Sequence, residues 1–193
     1  MTRKTTNKTV KYFGLLTAAQ VRKHLGVSQA TLTRLVKSTA ILRLGFGLYA
    51  HPDCKILPQE VDFAVACARF GPKSAIGGLT ALFHHKLTDA PPNQIWVISP
   101  PEKSDHNTFY RTLRTKSSPT EGVNRFEFYR MTNIERSIIE GLWFRAKIGE
   151  RTAINAARTA LKQGMTTEKK LGEMARKLKL RSVFEKYWEA IVV

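Results

Sequence analysis

Gln29 and Arg34 are typed and placed to read base edges. A carboxamide pairs two-pronged with adenine and a guanidinium with guanine. They lie in Ser28-Gln29-Ala30-Thr31-Leu32-Thr33-Arg34-Leu35-Val36-Lys37, where Ser28, Thr31 and Thr33 add short hydroxyls. Ser28 and Thr31, with the backbone N–H groups of a helix start, can donate to phosphates. Arg22, Lys23 and Lys37 are cations for the same phosphates. Arg43 follows, near a glycine-flanked tip at Phe46, where it would meet a minor groove. This set describes recognition of a duplex rather than bond-making.

Residue types suited to catalysis or metal binding fall short on spacing. His84 and His85 are adjacent, so on a helix they point about 100° apart and share a metal poorly. His85 is expected to cap or pack internally, and Asp89 to anchor a turn by accepting backbone N–H groups. Cys54 and Cys67 lack the close-spaced partners of a zinc site. Glu168-Lys169-Lys170 fits half of a nuclease motif, but these residues read as helix and no acid precedes them on a strand. Phosphate-binding glycine loops and nucleophile elbows are absent from the sequence. Gly77-Gly78 reads as a close-packing point of a helix. No catalytic residue, metal or cofactor is expected, and the chain is read as a non-enzyme.

Two short helices must hold Gln29 and Arg34 outward. Apolar spacing at Leu15, Leu16, Ala19, Val21 and Leu25 suits one or two helices over residues 12 to 24. Thr17 is a candidate N-cap with Gln20 as its capping-box partner. Gly26 ends that helix where positive φ is favoured. Ser28 caps the next, with Leu32, Leu35 and Val36 inward and Gln29, Thr33, Arg34 and Lys37 outward. Ile41 to Ala50 reads as a β-hairpin around the glycine-flanked tip. Helix-turn-helix plus hairpin is the order of a winged helix.

Charge points the same way. The chain has 193 residues, 32 Lys and Arg, 15 Asp and Glu, and a formal net charge of +17. Its first 52 residues hold nine Lys and Arg and no acid. Residues 53 to 144 are nearly balanced, and residues 145 to 193 are basic again, with twelve cations against five acids. An anionic partner relieves self-repulsion of this size. An acid-free basic segment on such a scaffold is the electrostatic footprint of a DNA reader. The apolar fraction of 42% suffices for a packed core. Two cysteines make no disulfide framework and are expected reduced. No apolar run approaches the ~18 residues of a membrane span. The polar, basic first eleven residues read as a mobile arm rather than a secretory signal. A cytoplasmic protein without a membrane partner is expected.

His51-Pro52-Asp53 breaks the chain. The expected fold class is α+β: a winged helix over residues 1 to 52, then a mixed α/β domain with basic C-terminal helices over residues 53 to 193. Helices are expected over Pro58 to Phe70, Ser74 to Lys86, Ile134 to Arg145, Arg151 to Lys162, Glu168 to Leu178 and Ser182 to Ile191. Strands are expected over Gln94 to Ser99, Thr108 to Lys116 and Phe126 to Tyr129. Phe184, Tyr187 and Trp188, at helical spacing, read as core. Lys169, Lys170, Arg176, Lys177, Lys179 and Arg181 form either a solvated helix face or a second cationic surface. Such a surface would meet flanking DNA, an RNA or an acidic protein.

Four segments together resemble the AbiEi-family antitoxins: Leu16 to Leu35, the hairpin Leu42 to Pro52, the helix Ser74 to Asp89 and the strand Ile95 to Val97. In that family a winged helix leads into Gly-x-Gly-x-Tyr-x-x-Pro, then Ala-Leu-x-x-His-x-Leu-Thr-Asp, a proline turn and an Ile-Trp-Val strand. Gly45, Gly47, Tyr49, Pro52, Ala81, Leu82, His85, Leu87, Thr88, Asp89, Ile95, Trp96 and Val97 occupy those places. The resemblance covers about residues 10 to 145. The family's wing tip is often basic, whereas Phe46 stands here, and its later Arg-Thr pair corresponds to Arg136-Ser137. The resemblance implies a bacterial antitoxin of a type IV toxin–antitoxin system that represses its own operon. Its functional partner would be a nucleotidyltransferase-like toxin encoded beside it. The toxin would be countered without a stable complex, through the C-terminal domain.

The expected ligand is double-stranded operator DNA, an inverted or direct repeat upstream of the chain's own operon. Two alternatives have distinct signatures. A nucleic-acid-processing enzyme using the winged helix for substrate delivery would cleave labelled DNA or RNA with a metal. A protein-binding module that sequesters its toxin would co-purify with a stoichiometric partner.

Overall fold

The computed structural model describes residues 10–12, 14–45, 47–102 and 107–192. The fold mixes α and β, with two sheets among the described residues. The chain divides into two compact units, Met1–Val61 and Asp62–Val193.

The first unit runs β1 (Leu15–Thr17), α1 (Ala18–Leu25), α2 (Gln29–Lys37), β2 (Leu42–Gly45) and β3 (Leu48–Ala50). Thr17 sets the start of α1. Its Oγ1 accepts the Gln20 N–H, and Gln20 Oε1 accepts the Thr17 N–H at 2.9 Å. Gly26, at φ 64, turns the chain, and Ser28 Oγ accepts the Thr31 N–H at 3.2 Å to start α2. Leu15 and Leu16 depart from expectation: they are strand, not helix. Residues ahead of an N-cap are extended, so their apolar side chains join α1's stripe only by coincidence of spacing. β1 instead pairs antiparallel with β3, and β3 with β2, in the order β1-β3-β2. Val21, Leu32, Ile41 and Tyr49 close the small core beneath the helices. Residues 1–9 of the expected arm and Phe46 at the tip lie outside the described residues.

The second unit begins within α3 (Pro58–Phe70) and continues β4 (Ala75–Ile76), α4 (Gly78–His84), β5 (Ile95–Ser99), β6 (Tyr110–Arg114), β7 (Val123–Arg125) and β8 (Arg130–Thr132). Then come α5 (Ile134–Trp143), α6 (Arg145–Ile148), α7 (Glu150–Lys162), α8 (Glu168–Lys177) and α9 (Arg181–Val192). The sheet order is β6-β5-β4-β8-β7. β5 is parallel to β6, and β4 to β8; the other pairs are antiparallel. Period-two alternation sends Trp96 and Ile98 of β5 into one core and Val97 into another. The first is closed by α5, α7, α8 and α9, the second by α3. Both faces of β5 are therefore covered, which is why it reads as an unbroken apolar run.

Three expectations in this unit need correction. Residues 75–76 are strand rather than the start of a helix, paired centrally with β5 and β8. Gly77 and Gly78 make the strand-to-helix turn. A Cβ on Gly77 would run into Ile98, and one on Gly78, at φ 51, would lie 2.8 Å from Trp96 and Leu113. Phe126 to Tyr129 is the turn between β7 and β8, closed by Phe126 N–H to Tyr129 O at 2.9 Å, with the two rings stacked at 4.5 Å. The aromatic residues that mimic a strand are stacking across a hairpin. Asp89 is exposed, and the Ala90 N–H goes to Thr88 Oγ1 instead. His85 packs internally as expected, with Nε2 2.8 Å from the Thr132 carbonyl.

Among the described residues, Arg136 is the largest fully buried side chain, 1% exposed. Its Nη2 bonds Glu140 Oε1 at 2.9 Å, and its Nη1 donates to the Ser118 and Glu121 carbonyls at 2.7 and 2.6 Å. Glu140 is equally buried, and burial pushes its carboxyl above the ordinary range while Arg136 pulls it back. Arg136→Met should cost about 3–5 kcal/mol at neutral pH, because a buried charge loses its partner. Without the cation, Glu140's pKa climbs further. A raised folded-state pKa penalises the ionised form: the penalty is full above that pKa and gone below the unfolded value of about 4.3. Urea unfolding of Arg136→Met against wild type should thus show a deficit that shrinks as pH falls from 7 toward 4. A deficit independent of pH would contradict this account.

Candidate nucleic-acid interface

α2 is two-faced. Leu32 is buried and Leu35 and Val36 half-buried, while Gln29, Thr33, Arg34 and Lys37 are exposed. The N-cap geometry explains this phase. With Ser28 fixed as the cap, Leu32 lands under the turn that faces Val21 and Ile41, Arg34 and Lys37 fall opposite, and Gln29 and Thr33 flank the exposed face. The expected readers Ser28, Gln29, Thr31, Thr33, Arg34 and Lys37 therefore come together on one helix.

Their hydroxyls are already in use. Ser28 Oγ caps the helix and lies 3.1 Å from Thr31 Oγ1. Thr33 Oγ1 donates to the Gln29 carbonyl at 3.0 Å, the back-bonding usual for a helical threonine. Arg34 Nη2 donates to Thr31 Oγ1 at 3.3 Å, which holds the guanidinium over the first turns of α2. Gln29, Arg34 and Lys37 thus carry the reach of this face, and Ser28, Thr31 and Thr33 shape it. Arg22 and Lys23 are exposed in the last turn of α1, ahead of the Gly26 turn. Arg43 is exposed on β2, opposite Tyr49 of β3.

The second basic set is less uniform. Lys169, Lys170, Arg176, Lys177, Lys179 and Arg181 are all exposed; the first four stand on α8, away from its buried stripe of Leu171, Met174 and Ala175, and Arg181 opens α9. Arg181 pairs with Glu185 at 2.6 Å, and Lys177 with Glu121 at 3.5 Å. Lys177 and Lys179 line a cleft with Arg114, Lys116 and Trp143. Lys169, Lys170 and Arg176 do not line it. Arg114, Lys116 and Trp143 carry no motif. They are single residues on β6, the loop after it and α5, gathered only by the fold.

The histidines and thiols remain outside any such assembly. Burial and the neighbouring His85 hold His84 below its ordinary pKa. Burial raises the Cys67 thiol, which hydrogen-bonds the backbone of Arg130. Among the described residues, no three His, Cys, Asp or Glu are grouped to hold a metal ion, and no helix is long and apolar enough to cross a membrane. Glu168 and Lys170 occupy the first turn of α8 behind the Thr167 cap, a helical setting rather than a nuclease strand. No protein-family model matches the chain, and no curated protein is significantly similar to it in sequence.

The Ser28 cap gives a direct structural test. Ser28→Ala removes the acceptor for the Thr31 N–H and should cost about 1 kcal/mol, read as a lower unfolding midpoint. A midpoint equal to wild type would show that α2 starts without this cap.

Proposed function

We propose that this chain is a DNA-binding autorepressor whose first unit works as a winged helix, with α2 as recognition helix and β2–β3 as wing. The observation that carries this reading is the exposed face of α2: Gln29, Arg34 and Lys37 stand there, in a segment whose first 52 residues contain no carboxylate side chain. A B-DNA major groove admits one α-helix, and it displays the acceptors and donors that arginine and glutamine pair with. The Thr31 tether on Arg34 limits the rotamers lost on binding. Arg22, Lys23 and Arg43 are the phosphate and groove-edge cations of the same surface.

The likeness to AbiEi antitoxins supports a more specific role. In that reading the chain represses its own operon from the bacterial cytoplasm and opposes a nucleotidyltransferase-like toxin without a stable complex. It performs no catalysis itself. The second unit would carry the antagonism.

Two substitutions separate base reading from phosphate contact. In a fluorescence-anisotropy titration on the upstream repeat, Arg34→Ala should cost ~1–3 kcal/mol and relax preference at one base pair. Lys37→Ala should weaken every duplex alike and reduce the slope of log K against log salt by about one unit. Wild-type affinity and preference in Arg34→Ala would remove α2 as the reading helix.

A further inference from the structure

The second unit contains a groove that the duplex-reading surface does not explain. Two adjoining hollows of ≈490 and ≈700 Å³ share Pro101, Thr115, Lys116 and Ser117, so they form one channel past the ends of β5 and β6. Its lining includes Lys73, Arg114, Lys116, Lys177 and Lys179. Glu102 also lines it, and Glu121 is paired with Lys177 at 3.5 Å. The net field along the channel is therefore cationic.

Two details distinguish it from a solvated basic surface. Trp143 lines the wider hollow and is 46% exposed, although it ends the same helix as the fully buried Ile139 and Leu142. Arg136 lines the narrower hollow while itself buried, and its Nε–H has no hydrogen-bond partner. That nitrogen is sealed from solvent, so Arg136 backs the channel wall and offers no open donor to a ligand. Lys179 holds φ 60, the left-handed position after a helix that glycine adopts without strain. It follows α8 with its N–H on the Arg176 carbonyl, and Leu180 N–H returns to Ala175 at 2.8 Å. The lysine in this position puts a cation at the channel.

We infer that this groove binds single-stranded nucleic acid, its phosphates running past Arg114, Lys116, Lys177 and Lys179 and an unpaired base stacking on Trp143. The exposed indole favours a strand over an acidic protein, because every base has a flat face and carboxylate side chains do not. It favours a strand over a duplex, whose base faces are covered by their neighbours. The inference does not depend on duplex reading by α2.

The test uses the full-length chain with labelled oligouridylate and oligodeoxyuridylate of about 12 nucleotides, inside the ~4–16 range of single-strand sites. Both strands should bind and quench tryptophan emission. Tighter binding of the ribo-strand would identify RNA as the source, and equal binding a site for either. Trp143→Ala should weaken binding about fivefold or more, and Trp143→Phe should recover most of it without the quench. Lys179→Gly removes the charge while relieving the backbone, so it should fold at least as well as wild type and lower the salt slope by about 0.7. Arg34→Ala should leave strand binding unchanged, which keeps this outcome separate from that of the duplex test. Wild-type affinity and slope in both Trp143→Ala and Lys179→Gly would overturn the inference. So would displacement of the strand by polyglutamate at equal charge concentration, which would assign the groove to an acidic protein.

Discussion

Arg136 lies under the second unit's sheet and helices with its guanidinium spread between the Ser118 and Glu121 carbonyls and the Glu140 carboxylate. Backbone carbonyls in a loop have no ladder partner, and burying them unpaired is costly. One planar cation serves two of them at once, something lysine's single ammonium on a flexible stem does less well. The loop over residues 117–121 is thereby fixed against α5, and Gly122 behind it leaves no space: a Cβ there would lie 2.9 Å from Arg136 and 2.8 Å from Met174. Arg136, this loop and α5 meet at the wall of the channel, and α8 packs on α5.

Among the described residues, the first unit buries no Lys, Arg, Asp or Glu, and local capping does the equivalent work. Thr17 fixes where α1 begins, Gly26 where it ends and Ser28 where α2 begins. A one-residue slip would rotate α2 by about 100° and turn either Gln29 or Arg34 toward the core. The base-reading proposal therefore rests on three small residues that would contact no base themselves. Charge then decides what the exposed face prefers. With no carboxylate side chain before Asp53, no internal acid competes for Arg22, Lys23, Arg34 or Lys37 over that segment.

Legibility in the sequence followed the range of the interaction. The Thr17–Gln20 capping box, the Gly26 turn, the Ser28 cap and the helices α3, α7, α8 and α9 are written in residues three or four apart, and they could be read directly. β5 was equally plain, because covering both its faces demands a continuous apolar run. The failures were non-local. Leu15 and Leu16 look helical until β3 is available to pair with them. Ala75 and Ile76 look like the start of a helix until β5 and β8 flank them. Phe126 and Tyr129 have strand-like types but stack on each other across a turn. Arg136 and Glu140 carried an i,i+4 signal, which on its own reads as a surface pair; only the apolar residues around them hinted at burial. The channel was the least legible, since Lys73, Arg114, Lys116, Trp143 and Lys179 are scattered singly along the chain. Of the six C-terminal cations read as either a solvated helix face or a second cationic surface, Lys177 and Lys179 line it.

The proposed role of the chain stands on specific duplex recognition by its first unit. The direct measurement is a gel-shift titration of the full chain on DNA from upstream of its own reading frame. It is run with excess unrelated duplex and repeated at two salt concentrations. Specific recognition predicts a shift that survives the competitor and weakens steeply as salt rises, since released counterions drive part of the binding. A shift abolished by competitor at both salt concentrations would mean that net charge alone holds the duplex, and would contradict the assignment of α2 as a reading helix.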